Sequence, residues 1–223
     1  MIHVHHLEKS RSHRILWLLE TLELDYELVV YQRDGKTQQA PDSLKKIHPL
    51  GKSPVITDGD ITVAESGAII DYLLHRYGEG RCQPASDELH DWVDYRYWLH
   101  YAEGSLMPLL VMQLVFSQIP KQSPWLIKPL AKGISDTVRK RFLAPQLKQH
   151  LTFINQHLSA KGNFAGPWPS GADIQMSFPL QAVAAVQSLE HYSAIAAFVA
   201  RIEQDPAWQR VVERAGPLTL PGQ

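Results

Sequence analysis

Residues 48–68 carry side chains whose types and order could bind a small charged ligand. Pro54 stands at the start of an apolar run, and a proline there cannot donate a ladder hydrogen bond to a neighbouring strand. A cis Ser53–Pro54 bond would leave the backbone N–H and C=O of Ser53 free to pair with an extended ligand. Downstream, Glu65 can receive an ammonium group, while Ser66 and the helix amides behind it can receive a carboxylate. The pattern predicts a pocket for the two charged ends of a short peptide.

The N-terminal third of the chain contains the strands and helices that would hold this pocket. Apolar residues alternate at Ile2 and Val4 and then recur at helical spacing over residues 15–22, so a strand is followed by a helix that runs to Glu23. A strand, a short helix, a hairpin with Asp58-Gly59 at its turn and a closing helix are expected at residues 27–31, 42–47, 54–57 with 61–64, and 66–77. The order βαβ(α)ββα predicts a compact α/β domain of about eighty residues.

The remaining two thirds of the chain are predicted to be helical. Breaker residues at 78–84 separate the two parts, and we predict an α/β domain at residues 1–80, a linker at 81–86 and an all-helical domain at 87–223. A long helix should begin near Ser86 and Asp87 and stop or kink near Met107 and Pro108. Pro120, Pro124 and Pro129 should punctuate a connection, followed by helices at residues 134–158, with a kink at Pro145, 192–204 and 206–214.

One helix start in this half has a capping box. The Ser170 hydroxyl should accept from the amide of Asp173, and the Asp173 carboxylate should accept from the amide of Ser170. We therefore interpret Asp173 as a structural residue rather than a catalytic carboxylate.

The composition of the 223-residue chain argues against several classes of protein. Its formal charge of −1, from 22 Lys and Arg against 23 Asp and Glu, gives no electrostatic footprint for nucleic acid or an anionic membrane. No run approaches the roughly 18 to 20 apolar residues of a membrane span, and a strand pattern starts at the first residues, so we expect neither a span nor a signal peptide. A single cysteine, Cys82, excludes an intrachain disulfide and favours a reducing compartment. We expect a soluble cytoplasmic protein.

Three histidines lie close together near the start, at His3, His5 and His6. Alternate residues on a strand point to opposite faces, and no second cluster adds carboxylate or cysteine ligands. We therefore expect ordinary strand-end histidines and no metal site.

Four motifs, in this order and spacing, resemble the cytosolic glutathione transferases over nearly the whole chain. They are SRSHRILWLLE at residues 10–20, HPLGKSP at 48–54, AESG at 64–67 and SGADI at 170–174. Within that superfamily, they most resemble the fungal and bacterial branch typified by the yeast transferases.

The resemblance implies a thioredoxin-like N-terminal domain that binds glutathione and a C-terminal helical bundle that supplies most of the second-substrate pocket. It also implies a homodimer, glutathione as co-substrate and a small hydrophobic electrophile as second substrate. On this sequence, Glu65 and Ser66 would hold the γ-glutamyl end. The Ser53 backbone before Pro54 would pair with the cysteinyl unit, and Lys52 would meet the glycyl carboxylate. Two plainer interpretations stay open, since Lys52 could be a solvated turn residue and Ser66 a helix cap.

The implied chemistry needs a thiolate, because a protonated thiol is a weak nucleophile and its ordinary pKa is roughly 8.5. A hydroxyl at the start of the first helix can donate to the sulfur anion while the helix dipole adds a favourable field. Ser10 is our choice for that hydroxyl and Ser12 is its rival, and the serine that does not face sulfur could cap the helix. No tyrosine or cysteine occurs in residues 8–12, and Cys82 falls in the predicted linker. A tyrosine-type site and a cysteine-type thiol–disulfide exchange mechanism are therefore not expected.

The second-substrate pocket is less well marked. Its lining could include Tyr97, Tyr101, Met107, Leu110 and Met112, although such a stripe is more often plain core. The leading hypothesis is conjugation of glutathione to a hydrophobic electrophile, or its use to reduce a peroxide. A noncatalytic interaction module built on this fold and a glutathione-dependent reductase or isomerase are the alternatives.

Overall fold

The computed structural model describes residues 1–35, 37, 39–85 and 87–219. The N-terminal elements are β1 (Ile2–Leu7), α1 (His13–Thr21), β2 (Tyr26–Tyr31), α2 (Asp42–Ile47), β3 (Val55–Asp58), β4 (Ile61–Ala64) and α3 (Ser66–Tyr77). The strands form one sheet in the order β2-β1-β3-β4, in which β1 is parallel to β2 and antiparallel to β3, and β3 is antiparallel to β4. The predicted order of strands and helices is confirmed, and the predicted short helix and closing helix have the predicted bounds.

Beyond α3, the described residues form only helices. They are α4 (Leu89–Tyr101), α5 (Met107–Gln122), α6 (Lys128–Val138), α7 (Ala144–Lys161), α8 (Gly171–Val186), α9 (Ser193–Gln204) and α10 (Pro206–Ala215). The predicted fold class, an α/β unit followed by a helical bundle, is confirmed. The long helix begins at Leu89 rather than near Asp87, and Ser86 lies outside the described residues. The domain bounds 1–80, 81–86 and 87–223 stay a prediction.

The two longest helical stretches pass through prolines that we expected to break them. Residues 102–106 are π-helical and join α4 to α5, and residues 139–143 are π-helical and join α6 to α7. Each π-helical turn contains the residue four before a proline, Pro108 or Pro145. A proline lacks the N–H for the usual i→i−4 bond and its ring crowds that carbonyl, and the wider π turn relieves both problems. The helix therefore does not stop near Pro108; of the predicted stop or kink, the structure shows a π-helical turn at residues 102–106.

The predicted connection between these helices is also shorter than expected. Pro120 lies inside α5 and Pro129 lies in the first turn of α6, where a proline is tolerated because that N–H has no helical partner. Only residues 123–127 link the two helices, so α5 and α6 form an extended antiparallel hairpin.

Helix α1 is buried on every side. The apolar stripe predicted over residues 15–22 indicated burial of one face only. All side chains from His13 to Glu20 are buried, including Leu16 and Trp17, which lie outside the predicted stripe. The reason is that α8 and α10 of the helical part pack against it. Glu20 accepts hydrogen bonds from Arg210 and Arg214 of α10 at 2.8 Å each, which fixes α10 on α1.

The predicted capping box is present at the start of α8. The amide of Asp173 donates to the Ser170 hydroxyl at 3.2 Å, and the amide of Ser170 donates to the Asp173 carboxylate at 2.8 Å. Asp173 also accepts from the Phe164 amide at 2.8 Å, and it is completely buried. Its contacts are those of a structural residue, as we predicted.

Among the described residues, one continuous helix, Leu89–Gln122, is long and apolar enough to cross a membrane by length and composition alone. Only 22% of its most apolar 18-residue window is buried. The expectation that the chain has no membrane span stays a prediction.

Candidate active site

Three serine hydroxyls meet where β1 runs into α1. Ser10 Oγ lies 2.9 Å from Ser12 Oγ and donates to Ser53 Oγ at 3.2 Å. Ser53 Oγ in turn donates to the carbonyl of His5 at 2.8 Å and accepts from the Leu7 amide at 3.2 Å. The structure thus brings Ser10 into contact with the residue that precedes Pro54, and Ser12 into contact with Ser10.

His6 lies at the far end of this chain of hydroxyls, where its Nδ1 is 2.5 Å from Ser12 Oγ. Burial lowers the pKa of His6 to about 4, so the imidazole is neutral near pH 7. One direction of donation satisfies every member: His6 Nδ1–H to Ser12, Ser12 to Ser10, and Ser10 to Ser53. In this assignment Ser10 accepts from Ser12 and keeps its own hydrogen for Ser53 or for a ligand.

The two serines differ in exposure. Ser12 is completely buried and Ser10 is 6% exposed. Ser12 stands at the N-cap position of α1, but its side chain makes no capping hydrogen bond, because the hydroxyl is engaged with His6 and Ser10. Ser12 thus occupies the position expected of a helix cap without making the side-chain bond of one.

The Ser53–Pro54 peptide bond is cis, as predicted. Among the described residues, the backbone N–H and C=O of Ser53 have no hydrogen-bond partner. Lys52 is exposed and forms no ion pair with any described residue. Both groups are therefore available to a ligand at this edge of the sheet.

The register of the β3–β4 hairpin brings the two predicted halves of the pocket together. Val55 pairs with Ala64, so Pro54 and Ser53 lie beside Glu65 and Ser66, which follow Ala64. Glu65 is exposed and has φ 70°, a left-handed conformation that costs a non-glycine residue on the order of 1–3 kcal/mol. Such strain at an exposed carboxylate is typical of a functional position.

Ser66 begins α3 and is held from the other half of the molecule. Gln175 on α8 donates from Nε2 to Ser66 Oγ at 3.1 Å, and both residues are buried. Since Ser66 Oγ accepts this bond and has no acceptor for its own hydrogen among the described residues, the hydroxyl can donate to a ligand. The helix-cap interpretation finds no support, because the N-cap position belongs to Glu65.

A charged cluster fixes residues 8–12, which we call the serine loop, to the helical part of the chain. Glu103, in the π-helical turn, accepts from Arg11 at 2.5 Å and from Arg14 at 2.7 Å. Arg14 is buried, and it also donates to the carbonyls of Gln175 at 2.9 Å and Arg11 at 3.3 Å. Burial lowers the pKa of Arg14 to about 10, so it stays charged near pH 7. The position of Ser10 therefore depends on contacts with α8 and the π-helical turn.

Sequence analysis missed His6, Glu103 and Gln175 as site residues. A signal exists for Gln175, because it interrupts the apolar run of α8, where a polar side chain must find a buried partner. No such signal marks Glu103, which stands in an ordinary polar position of a helix.

The residues that we expected to be inert have structural partners. His3 pairs with Glu27 at 3.3 Å, and His5 lies 3.0 Å from the Tyr31 hydroxyl. Cys82 is buried, which raises the pKa of its thiol to about 11 and makes it a poor nucleophile. Within the described residues, no three His, Cys, Asp or Glu side chains come together as metal ligands would.

Three of the five candidate residues for a second pocket fall into two groups. Tyr101 is buried beside His150, to which its hydroxyl is hydrogen-bonded, so it belongs to the core. Met107 packs against Phe178, with Leu110 at the edge of the pair. The guanidinium of Arg11 lies 5.8 Å from the Phe178 ring centre, so this small apolar cluster lies next to the serine loop.

A separate cavity of about 690 Å³ lies between α8, α9, α10 and the C-terminal tail. Trp208, Val212 and Leu218 line it, and it includes none of the predicted glutathione-binding residues.

Comparisons with known proteins point to one family. Residues 1–75 match the family model for the glutathione S-transferase N-terminal domain. The chain is 33% identical to glutathione S-transferase 3 of Schizosaccharomyces pombe, over 99% of this chain and 90% of that protein. It is 34% identical to glutathione S-transferase 1 of Saccharomyces cerevisiae, over 98% of this chain and 97% of that protein.

A solved structure is similar over the full chain. A glutathione S-transferase from Actinobacillus pleuropneumoniae superposes with a TM-score of 0.78 at 32% identity and covers 100% of this chain and 97% of its own. The N-terminal unit is thus the thioredoxin-like domain of such enzymes. Similarity in sequence and fold over nearly the full length of these proteins shows that the chain belongs to the glutathione S-transferase family and is a glutathione transferase.

Proposed function

We propose that the chain conjugates glutathione to a small hydrophobic electrophile, with the tripeptide bound along the edge formed by Ser53-Pro54 and Glu65-Ser66. One observation carries the proposal: the hairpin register and the serine contacts gather Ser10, Ser53 and Ser66 at one end of the sheet. These residues come from three separate motifs, and the fold requires no such convergence of polar groups.

Each part of glutathione has a matching group. Glu65 receives the α-ammonium of the γ-glutamyl residue, and Ser66 with the first amides of α3 receives its carboxylate. The unpaired Ser53 backbone groups pair with the cysteinyl unit in the manner of an added strand. Lys52 meets the glycyl carboxylate, for which its exposed ammonium is free.

Ser10 activates the thiol. Its hydroxyl turns from Ser53 Oγ to the sulfur, and Ser53 Oγ stays satisfied by the Leu7 amide. Donation to the anion, together with the field of α1, lowers the thiol pKa below roughly 8.5. The thiol proton leaves to solvent, the thiolate forms a C–S bond to the electrophile, and the leaving group departs with its electron pair. Ser12 holds Ser10 in position.

The second substrate contacts the apolar cluster of Met107, Leu110 and Phe178. Its position next to Arg11 supports this assignment, because Arg11 follows Ser10 directly. An electrophile held there approaches the sulfur from the helical side.

We further propose a cytoplasmic homodimer that needs no metal. The buried thiol of Cys82 suits a reducing compartment. One face of α4 exposes Leu89, Trp92, Val93 and Tyr97 at helical spacing, and such a face suits a second copy of the chain. Sedimentation of the purified protein at twice the mass of one chain would support the dimer.

Two measurements test the proposed function together. Calorimetric titration should detect glutathione binding at or below millimolar concentration, and a chlorodinitrobenzene-type substrate should be conjugated. Absence of binding at millimolar glutathione contradicts the proposal. Binding without turnover of any electrophile, peroxide or disulfide would instead favour the noncatalytic module, and product analysis separates peroxide or disulfide reduction from conjugation.

A further inference from the structure

The hairpin of α5 and α6 ends in a cluster of exposed apolar side chains. We call this cluster the apolar tip; it comprises Ile119, Trp125, Leu126, Ile127, Leu130 and Ile134. Their side chains are exposed, Trp125 by 80% and Leu126 by 72%. None of the six belongs to the buried core of the described chain. Ile127, Leu130 and Ile134 follow helical spacing and therefore share one face of α6.

The charges around the apolar tip have one sign. Residues 119–134 contain three lysines, Lys121, Lys128 and Lys132, and no acidic residue. The rest of the chain must therefore be acidic, because the total formal charge is −1. From the charge of the whole chain we expected no footprint for an anionic surface. That sum conceals the positive charge at the apolar tip.

The apolar tip is too far from the candidate active site to take part in the proposed reaction. The active site meets this helical hairpin at Glu103, whereas the tip begins at Ile119, which at 1.5 Å per residue is about 24 Å farther along the helix. The helix that leads to the tip has an apolar window of which only 22% is buried. The tip is thus an apolar surface that stands well away from the chemistry.

A second copy of the chain is a poor occupant for this surface. In a two-fold dimer the same patch meets itself, so its three lysines would face three others with no acidic residue of the patch between them. A membrane span is also unsuitable, because it would carry Lys121, Lys128 and Lys132 into hydrocarbon. Exposed Trp, Leu and Ile beside Lys instead match the chemistry of proteins that lie on a bilayer surface.

We propose that the apolar tip is a peripheral docking surface for an anionic phospholipid bilayer. Trp125 and its apolar neighbours enter the headgroup boundary, and Lys121, Lys128 and Lys132 meet lipid phosphates and carboxylates. The active site then stands in water about two dozen ångströms above the surface. Small hydrophobic electrophiles partition into lipid, so this position would bring the enzyme close to such molecules.

Vesicle flotation of the full-length protein tests the proposal. Wild type should float with vesicles of phosphatidylcholine mixed with phosphatidylglycerol, should not float with phosphatidylcholine alone, and should be released by high salt. The variant Lys128→Gln/Lys132→Gln should bind about 30-fold more weakly, since each basic residue near such a surface contributes about a fivefold factor. Leu126→Ser should weaken binding about tenfold.

Matched variants elsewhere separate the tip from general effects. Lys45→Gln/Lys46→Gln removes two exposed lysines on α2, and Val186→Ser removes an apolar side chain that is 72% exposed, the same fraction as Leu126. Both should bind vesicles within about twofold of wild type. Circular dichroism confirms that each variant is folded.

Three results would overturn the proposal. The first is failure of the folded wild type to float with the anionic vesicles, and the second is equal losses in the tip variants and their matched controls. The third is dissociation of a dimer by Leu126→Ser with no change in flotation, which would make the tip an interface between copies. Glutathione binding and turnover are measured on the same samples, so a failure of the proposed function would be seen separately.

Discussion

Replacement of Ser10 by Ala tests the proposed activation of the thiol. The side chain is 6% exposed, and it lies between Ser12 at 2.9 Å and Ser53 at 3.2 Å. Without the Ser10 hydroxyl, Ser53 Oγ still accepts a hydrogen bond from the Leu7 amide, but Ser12 Oγ loses one hydrogen-bond partner. We therefore expect a loss of about 1–2 kcal/mol in the free energy of unfolding, which leaves the protein folded.

The effect on the reaction should be larger than the effect on folding. Loss of one positioned donor to a developing or bound anion typically costs about 100-fold in rate, or about 2.7 kcal/mol. The same loss should raise the pKa of bound glutathione by up to about 2 units, because one unit corresponds to 1.36 kcal/mol. Turnover with a chlorodinitrobenzene-type substrate at saturating glutathione, followed against pH, reports both quantities.

Ser12→Ala is the matched control. Ser12 is completely buried and bonded to His6, so its loss should lower stability but change the thiol pKa much less than the loss of Ser10. The reasoning would be refuted if Ser10→Ala kept the wild-type rate and thiol pKa while Ser12→Ala lost them.

Three further predictions concern residues that support the site. Gln175→Met removes the donor to Ser66 while keeping the volume, so KM for glutathione should rise about five- to tenfold with kcat nearly unchanged; an equal fall in kcat would contradict a positioning role. Phe178→Leu should raise KM for the electrophile severalfold and leave KM for glutathione unchanged, and the opposite pattern would remove the apolar cluster from the second pocket. Burial raises the pKa of Asp173 from 3.8 to about 6, so the folded state holds a proton there that the unfolded state has lost. Between about pH 4 and pH 6, the stability from this group should therefore fall as pH rises, by at most about 3 kcal/mol, and urea titrations of Asp173→Asn should lack that slope.

Local sequence signals were enough to propose the parts of the candidate site that lie within one motif. Pro54, Glu65 and Ser66 are recognisable because each has a local physical role, at a sheet margin or at a helix start. The capping box of Ser170 and Asp173 is equally local, since both partners lie within one turn. These features need no knowledge of the rest of the fold.

Contacts between distant segments could not be predicted in this way. Gln175 reaches Ser66 across 109 positions of sequence, and Glu103 reaches Arg14 across 89. Helix α1 appeared amphipathic because its pattern contains a clear stripe, yet α8 and α10 cover its other faces. The whole-chain charge is limited for a similar reason, since a sum over residues carries no information on where they lie.

The most direct test of the account is a crystal structure of the chain soaked with glutathione. We predict that the γ-glutamyl end lies between Glu65 and Ser66, that the cysteinyl unit pairs with the Ser53 backbone, and that the sulfur lies within hydrogen-bond distance of Ser10 Oγ. A tripeptide bound elsewhere, or a sulfur in contact with neither Ser10 nor Ser12, would contradict the central claim.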